Sequence, residues 1–139
     1  MKEKRVALIP TLYIWNDFLR HDRVSAQDRN TDAAVRELHD WVASGGTVIF
    51  GTDLGAVDYD PTPEYLLMAK AGMTFRQILG SLTTAPAERF GDAKRLGRIA
   101  VGFDADLAVL NGDPAKDIRA LAAVRYTLRS GRIIYRDGR

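Results

Sequence analysis

The stretch FGTDLG, residues 50–55, sets one carboxylate, Asp53, between Gly51 and Gly55 directly after the apolar run TVIF. Glycine lets a chain bend sharply or approach a neighbour closely, so this carboxylate stands where a buried strand runs out. In parallel α/β sheets ligands gather at the carboxyl ends of the strands. A carboxylate placed there can be a hard oxygen ligand for a divalent metal, or a base for a metal-bound water. It can also cap the turn that follows. On local features alone the turn is favoured, because short motifs recur by chance.

The other residues that could do chemistry are few. The chain has no cysteine and two histidines, which excludes disulfides and thiolate metal sites. His21, in LRHDR, lies on a loop at the same end as Asp53 and can touch substrate or be solvated. His39 reads as a helix-surface residue. Tyr13, Trp15 and Phe18 follow the first strand; they can line a substrate pocket or pack the loop, and nothing in the residues chooses between these. Asp58, Tyr59 and Asp60 read as solvated turn residues. Asp104 and Asp106 read as braces for a turn and a strand edge, and GDP at 112–114 as a turn, since no GK[ST] accompanies it.

These residues need elements to hold them. RVALI (5–9) is a short apolar run ended by Pro10 and reads as a buried strand. Residues 11–31 read as a long loop with one helical turn. Thr31 or Asp32 can cap a helix whose apolar stripe is Ala34, Leu38, Trp41 and Val42, stopped by Gly45 and Gly46. TVIF is the second strand. Two strands apolar throughout and joined by a helix imply a parallel sheet covered on both faces. Further helices are expected from Glu64 to Lys70, from the Thr74 cap through Phe75, Ile78, Leu79 and Leu82, and around Pro86 up to Gly91. Past Gly97 the pattern changes: RIAVG, ADLAVL and VRYTLRSGRIIYR read as strands, the last a hairpin turning at Ser130-Gly131. The division falls at residues 92–97, giving parts 1–96 and 97–139. Both look incomplete, the first a fragment of a sheet and the second a set of strands wanting partners.

Taken in order, GTDLG, AGMTFRQILGSLTTAPAERFG and GRIAVGFDADLAVLNGDP…SGRIIY resemble the C-terminal part of the amidohydrolase superfamily, most closely its imidazolonepropionase-like and prolidase-like members. The similarity runs from Val6 to Tyr135. It implies an α/β fold: the last two β/α units of a (β/α)8 (TIM) barrel in 1–96 and part of a small β-sandwich in 97–139. It also implies hydrolysis of a C–N bond, in a non-peptide amide or a dipeptide-like substrate, by water activated on a divalent metal, commonly zinc. Asp53 is similar in position to the family aspartate that ligates metal and moves the water's proton, so it is both the catalytic and the metal-site candidate. Tyr13, Trp15 and His21 are the substrate-binding candidates. The family's other ligands follow strands that this chain does not contain, and neither histidine matches them. The resemblance therefore implies a fragment that is inactive and without a closed metal site on its own.

Two functions follow. One is the C-terminal portion of a metal-dependent amidohydrolase acting on a small-molecule amide and completed by an N-terminal part of the barrel. The other is a non-catalytic α/β module that self-associates to a homo-oligomer through its unpaired edges. Charge does not separate them: 20 basic against 18 acidic residues is too balanced to point to nucleic acid or a membrane surface. With no signal h-region or long apolar span, a cytoplasmic protein is the expectation.

Overall fold

The computed structural model of the chain describes residues 6–17, 27–53 and 55–138. Two short strands, β1 (Ala7–Leu8) and β2 (Thr47–Val48), pair in parallel with Ala7 opposite Thr47 and Leu8 opposite Val48. The ladder continues past them, since the Ile49 N–H donates to Leu8 O at 2.9 Å and the Phe50 N–H to Ser81 O at 3.0 Å. Between the strands lie α1 (Leu12–Asp17) and α2 (Gln27–Ala43). Three helices follow β2: α3 (Thr62–Lys70), α4 (Phe75–Leu82) and α5 (Thr84–Phe90).

Local chemistry accounts for most of the boundaries. Gly45, with φ 74°, takes the left-handed turn that ends α2, and the Trp41 indole N–H then donates to Thr47 O at 2.9 Å, tying the helix end to β2. Thr74 accepts from the Gln77 N–H while the Gln77 side chain accepts from the Thr74 N–H, a reciprocal cap on α4. Pro86 sits in the first turn of α5, and Gly91, at φ 85°, closes it.

The start of α2 differs from the expected one. It begins at Gln27, so Thr31 and Asp32 lie inside the helix. Thr31 is 4% exposed and shares a face with Val35 and Leu38, while Asp32 pairs with Lys70 of α3 at 2.7 Å. Contact with α3 and the core thus occupies the residues that would otherwise have capped.

The core lies between the helices and one face of the strand pair. Met68 and Ile78 are fully buried, Leu12 and Leu38 almost so, and Val48 joins them. Full burial of an aliphatic or Met side chain contributes about 1.5–3 kcal/mol, so the α2–α3–α4 layer is the principal source of stability.

The remaining strands form a separate antiparallel sheet, β3 (Leu107–Leu110), β4 (Val124–Arg129) and β5 (Arg132–Arg136), in that order. The β4–β5 turn has Ser130 at φ 49° and Gly131 at φ 76°, the doubly left-handed geometry that suits the twist of a hairpin. Asp106 accepts from the Ser130 N–H at 2.7 Å, and Asp104 pairs with Arg95, so both aspartates brace local structure. Asp113 likewise accepts from the Ala115 N–H at 3.0 Å, making GDP a turn. Before β4 a 3-10 helix, Ile118–Ala122, inserts Leu121 into the helical core.

RIAVG is not a strand. Ile99 is 89% exposed and Val101 fully so, and this segment has no strand neighbour among the described residues to take its backbone groups. No helix among the described residues is long and apolar enough to cross a membrane.

Gly97 is where the lead-in to the small sheet crosses α5. Its φ is +89°, and a Cβ there would lie 2.8 Å from Ala87 Cβ and 2.9 Å from Thr83 O. Gly97→Ala must therefore move backbone as well as adopt a left-handed conformation. It is expected to lower the unfolding free energy by about 2–3 kcal/mol, read from urea denaturation.

Candidate functional site at the strand exits

The chain leaves both parallel strands through strained turns. Thr11, after β1, has φ 43°, and Asp53, after β2, has φ 58°. Non-glycine residues seldom occupy this region; aspartate tolerates it better than a β-branched residue does. The two exits are neighbours. A Cβ on Gly51 would lie 2.5 Å from Ile9 Cγ2 and 3.8 Å from Thr11 Cγ2, so glycine is what allows the second exit to run against the first.

Asp53 is exposed. The turn it opens is closed by its backbone oxygen, which accepts from the Ala56 N–H at 3.1 Å. Among the described residues its carboxylate makes no hydrogen bond, so the side chain does not perform the capping role that local sequence features favoured. Further along the same loop, Asp58 accepts from the Tyr59 N–H and Asp60 from the Thr62 N–H, as turn residues do.

The other site candidates divide. Tyr13 is buried at 8% exposure, with its backbone at the start of α1. Trp15 is half exposed and borders a shallow groove of about 320 Å³ along Asn30, Ala33, Ala34 and Glu37 of α2. His21 and Phe18 lie outside the described residues. His39 joins α2 to the end of α3 through Nδ1 and Ala71 O at 3.1 Å, a structural contact. A larger cleft of about 530 Å³ lies at the opposite end of the strands, along Val6, Ala7 and Thr47.

The most deeply placed charged group at the exits was not singled out in the sequence. Glu64, in the first turn of α3, is 0% exposed. Its two carboxylate oxygens accept from the Leu12 N–H at 3.0 Å and the Tyr13 N–H at 2.7 Å. These are the first two amides of α1, which no bond within the helix can satisfy. The clue in the sequence was an acid in register with Met68 and Ala71, on the face that packs into the core. Burial pushes the Glu64 carboxyl above the ordinary glutamate range; the Leu12 and Tyr13 amides pull it down, but by less.

A complete metal site does not assemble from these residues. Among the described residues no three His, Cys, Asp or Glu side chains gather at one place, whereas a catalytic zinc takes three protein ligands. Asp53 is a single exposed carboxylate, and the carboxylate of Glu64 is occupied by the Leu12 and Tyr13 amides.

A parallel strand pair with helices between and after its strands makes this an α/β protein, with the Asp53 carboxylate at the second exit. The chain belongs to the Amidohydrolase family, whose sequence profile matches residues 6–135. It is 49% identical over 43 residues to amidohydrolase tasK of Hapsidospora irregularis, a match covering 31% of this chain and 4% of that protein. Its fold is similar to that of a Xaa-Pro dipeptidase solved with methionine in its active site. The TM-score is 0.85 at 23% identity, over 98% of this chain and 36% of the dipeptidase. It is also similar to a prolidase solved with N-methylphosphonate-L-proline, with a TM-score of 0.81 at 27% identity, over 99% of this chain and 36% of the prolidase. The chain thus spans little more than a third of the length of these structures. Members of the family generally use divalent metals.

The raised Glu64 pKa fixes a sign for the pH dependence of stability. Between the ordinary glutamate value and the higher native one, the folded protein holds a proton that the unfolded chain has lost. Stability from this group therefore falls as pH rises through that window and is level above it. In urea unfolding from pH 4 to pH 8, the stability difference between the unsubstituted protein and Glu64→Gln, which cancels the other carboxylates, is expected to shrink and then plateau. A difference that grows with pH would show that the amides, not burial, set this carboxyl.

Proposed function

We propose that the chain supplies the C-terminal part of a metal-dependent amidohydrolase that hydrolyses a C–N bond in a dipeptide-like or other small amide. In this reading β1 and β2 are the seventh and eighth strands of a (β/α)8 barrel within 1–96, and β3–β5 are part of a small β-sandwich in 97–139. The remaining strands come from further polypeptide, and the protein works in the cytoplasm. The observation that carries the reading is the Asp53 carboxylate: exposed, free of hydrogen bonds among the described residues, and held in a left-handed turn beside the exit of the neighbouring strand. The family and the prolidase-type neighbours supply the reaction class.

Asp53 then acts as the base. It takes a proton from the attacking water as the oxygen bonds to the carbonyl carbon, and returns that proton to the nitrogen as the C–N bond breaks. The chain's own contribution to a divalent metal, zinc in this reading, is the single oxygen donor Asp53, with the other ligands drawn from outside the chain. Tyr13, Trp15 and His21, on the segment after β1, are the proposed substrate contacts. Dipeptides ending in proline are the first substrates to try, because two of the structural neighbours are a Xaa-Pro dipeptidase and a prolidase.

The test is Asp53→Asn in the enzyme with its complete catalytic domain, assayed on Xaa-Pro dipeptides and N-acyl amino acids. Asparagine keeps the shape and tolerates the left-handed backbone, so the melting temperature is expected to hold while hydrolysis falls by about 10²–10⁴-fold. Undiminished hydrolysis would remove Asp53 from the role assigned to it.

A second reading, a non-catalytic module that self-associates, has its own observation. Ile133, Ile134 and Tyr135 of β5, and Ile99 and Val101 ahead of β3, are all exposed, apolar side chains that a partner copy could cover. Light scattering on the isolated chain, with metal content determined on the same sample, separates the two. The amidohydrolase reading expects self-association to be dispensable and less than one zinc per chain. A stable homo-oligomer with no hydrolytic activity when completed by the rest of a barrel would favour the module.

A further inference from the structure

Glu64 poses a question that helix capping alone does not answer. The amides of Leu12 and Tyr13 need acceptors, and the cheap solution is a polar residue at the position just before the helix. Thr11 stands there, but its φ of 43° is not the extended conformation in which a hydroxyl reaches the second or third amide. The acceptor comes instead from a carboxylate 51 and 52 residues away, at 0% exposure. Burying a charge-bearing group is costly, and its partners rarely return more than the cost. For stability alone it is a poor device. What a remote acceptor does, and a local one cannot, is fix where one segment sits relative to another.

The two segments are the ones that matter. Leu12 and Tyr13 open the segment after β1, which carries Tyr13 and Trp15. Glu64 opens α3, which is reached from Asp53 through the loop ending at Pro61. Phe50, immediately before the second exit, stacks on Tyr65, the residue after Glu64, at a ring separation of 4.9 Å. The base of α3 is thus held against β2 by Phe50 and against the first exit by Glu64. A planar carboxylate receiving two adjacent amides restrains both distance and orientation.

We infer that Glu64 is a positioning residue for the reaction, a strut that sets the substrate-contacting segment after β1 at a fixed distance from the turn that presents Asp53. The inference rests on the hydrolytic reading and adds to it a residue that touches neither substrate nor metal. Because the strut governs where substrate is held, and Asp53 itself sits in a separate turn, its loss acts on binding before chemistry.

The experiment uses the enzyme with its complete catalytic domain and compares Glu64→Gln, Glu64→Asp and Glu64→Ala with Asp53→Asn, using glycyl-L-proline and N-acetyl amino acids as probes. KM and kcat are measured together with amide hydrogen exchange at Leu12 and Tyr13. Glu64→Ala is expected to speed exchange at both amides and raise KM about tenfold or more, with kcat changed less than about threefold. Glu64→Gln, which keeps one acceptor oxygen, should fall between, so the inference survives if the alanine variant does not fold. Faster exchange with KM and kcat both unchanged in Glu64→Gln and Glu64→Asp would overturn it and leave Glu64 a structural cap. An equal loss of kcat and kcat/KM at constant KM would overturn it as well, by placing Glu64 with the reacting atoms. Full hydrolysis by Asp53→Asn would instead sink the assignment of Asp53, a result legible apart from the Glu64 pattern. No hydrolysis by the unsubstituted enzyme on any probe would overturn both.

Discussion

Two backbone amides at the exit of the first strand are buried with no acceptor in their own helix, and the fold meets them with the carboxylate of Glu64. Much of the architecture at that end follows from this demand. The carboxylate must reach across from α3, so α3 must begin close to the β1 exit. Its next residues, Tyr65 and Met68, are then carried into the core against Phe50 and Leu12. Removing the carboxyl would leave two unpaired amides and a cavity, each a recognised route to large destabilisation. The bond is therefore compulsory even though its net contribution is small.

The same end of the molecule carries the backbone strain. Left-handed conformations at Thr11 and Asp53 cost of order 1–3 kcal/mol each, and they persist because their surroundings leave no alternative. Thr11 is pinned by the amides that follow it, which are held by Glu64. Asp53 is bracketed by the close approach of Gly51 to Ile9 on one side and by the Ala56-to-Asp53 backbone bond on the other. Stability is supplied by the helical layer, where Met68 and Ile78 are fully buried, and spent at the strand exits. At Asp53 the turn is held by the backbone oxygen, and the exposed carboxylate makes no hydrogen bond among the described residues.

What the sequence disclosed and what it withheld differ in range. Features whose cause lies within a few residues were legible: the Thr74 and Gln77 cap, the Gly91 stop, the Ser130-Gly131 hairpin, and Asp106 as a brace. The stripe of Leu38, Trp41 and Val42 marked the buried face of α2. Features decided by a distant partner were not. Thr31 looks like a cap until the core claims it, and Asp32 until Lys70 does. RIAVG has the composition of a strand, but a strand exists only beside another, and Ile99 and Val101 have none among the described residues. Glu64 is the extreme case. Its acidity at a helix start has a local explanation, favourable charge in the first turn, which conceals a partner some fifty residues away. The strand-exit position of Asp53 was legible from its two glycines, whereas the lack of a hydrogen bond to its carboxylate among the described residues depended on which atom closes the turn.

The strand pair carries one further argument. RVALI after Arg5 and TVIF after Thr47 are unbroken apolar runs, and such strands belong to sheets covered on both faces. In the structure the helices cover one face, through Leu8, Val48 and Phe50. Ile49, on the opposite face of β2, is buried as well, while Val6 before β1 and Ile9 after it remain 42% and 52% exposed. A two-residue ladder is a poor stopping point for a parallel sheet, whose edges offer unpaired amides and carbonyls beside the exposed Val6 and Ile9. The small sheet repeats the pattern at β5, all five of whose residues are exposed. Both surfaces make the same physical request, for strands to pair and apolar side chains to cover. Further barrel and sandwich strands would meet it at both places at once, whereas a partner copy would have to match two sheets of different kinds, one parallel and one antiparallel. That asymmetry is the reason to prefer the completed hydrolase over the self-associating module.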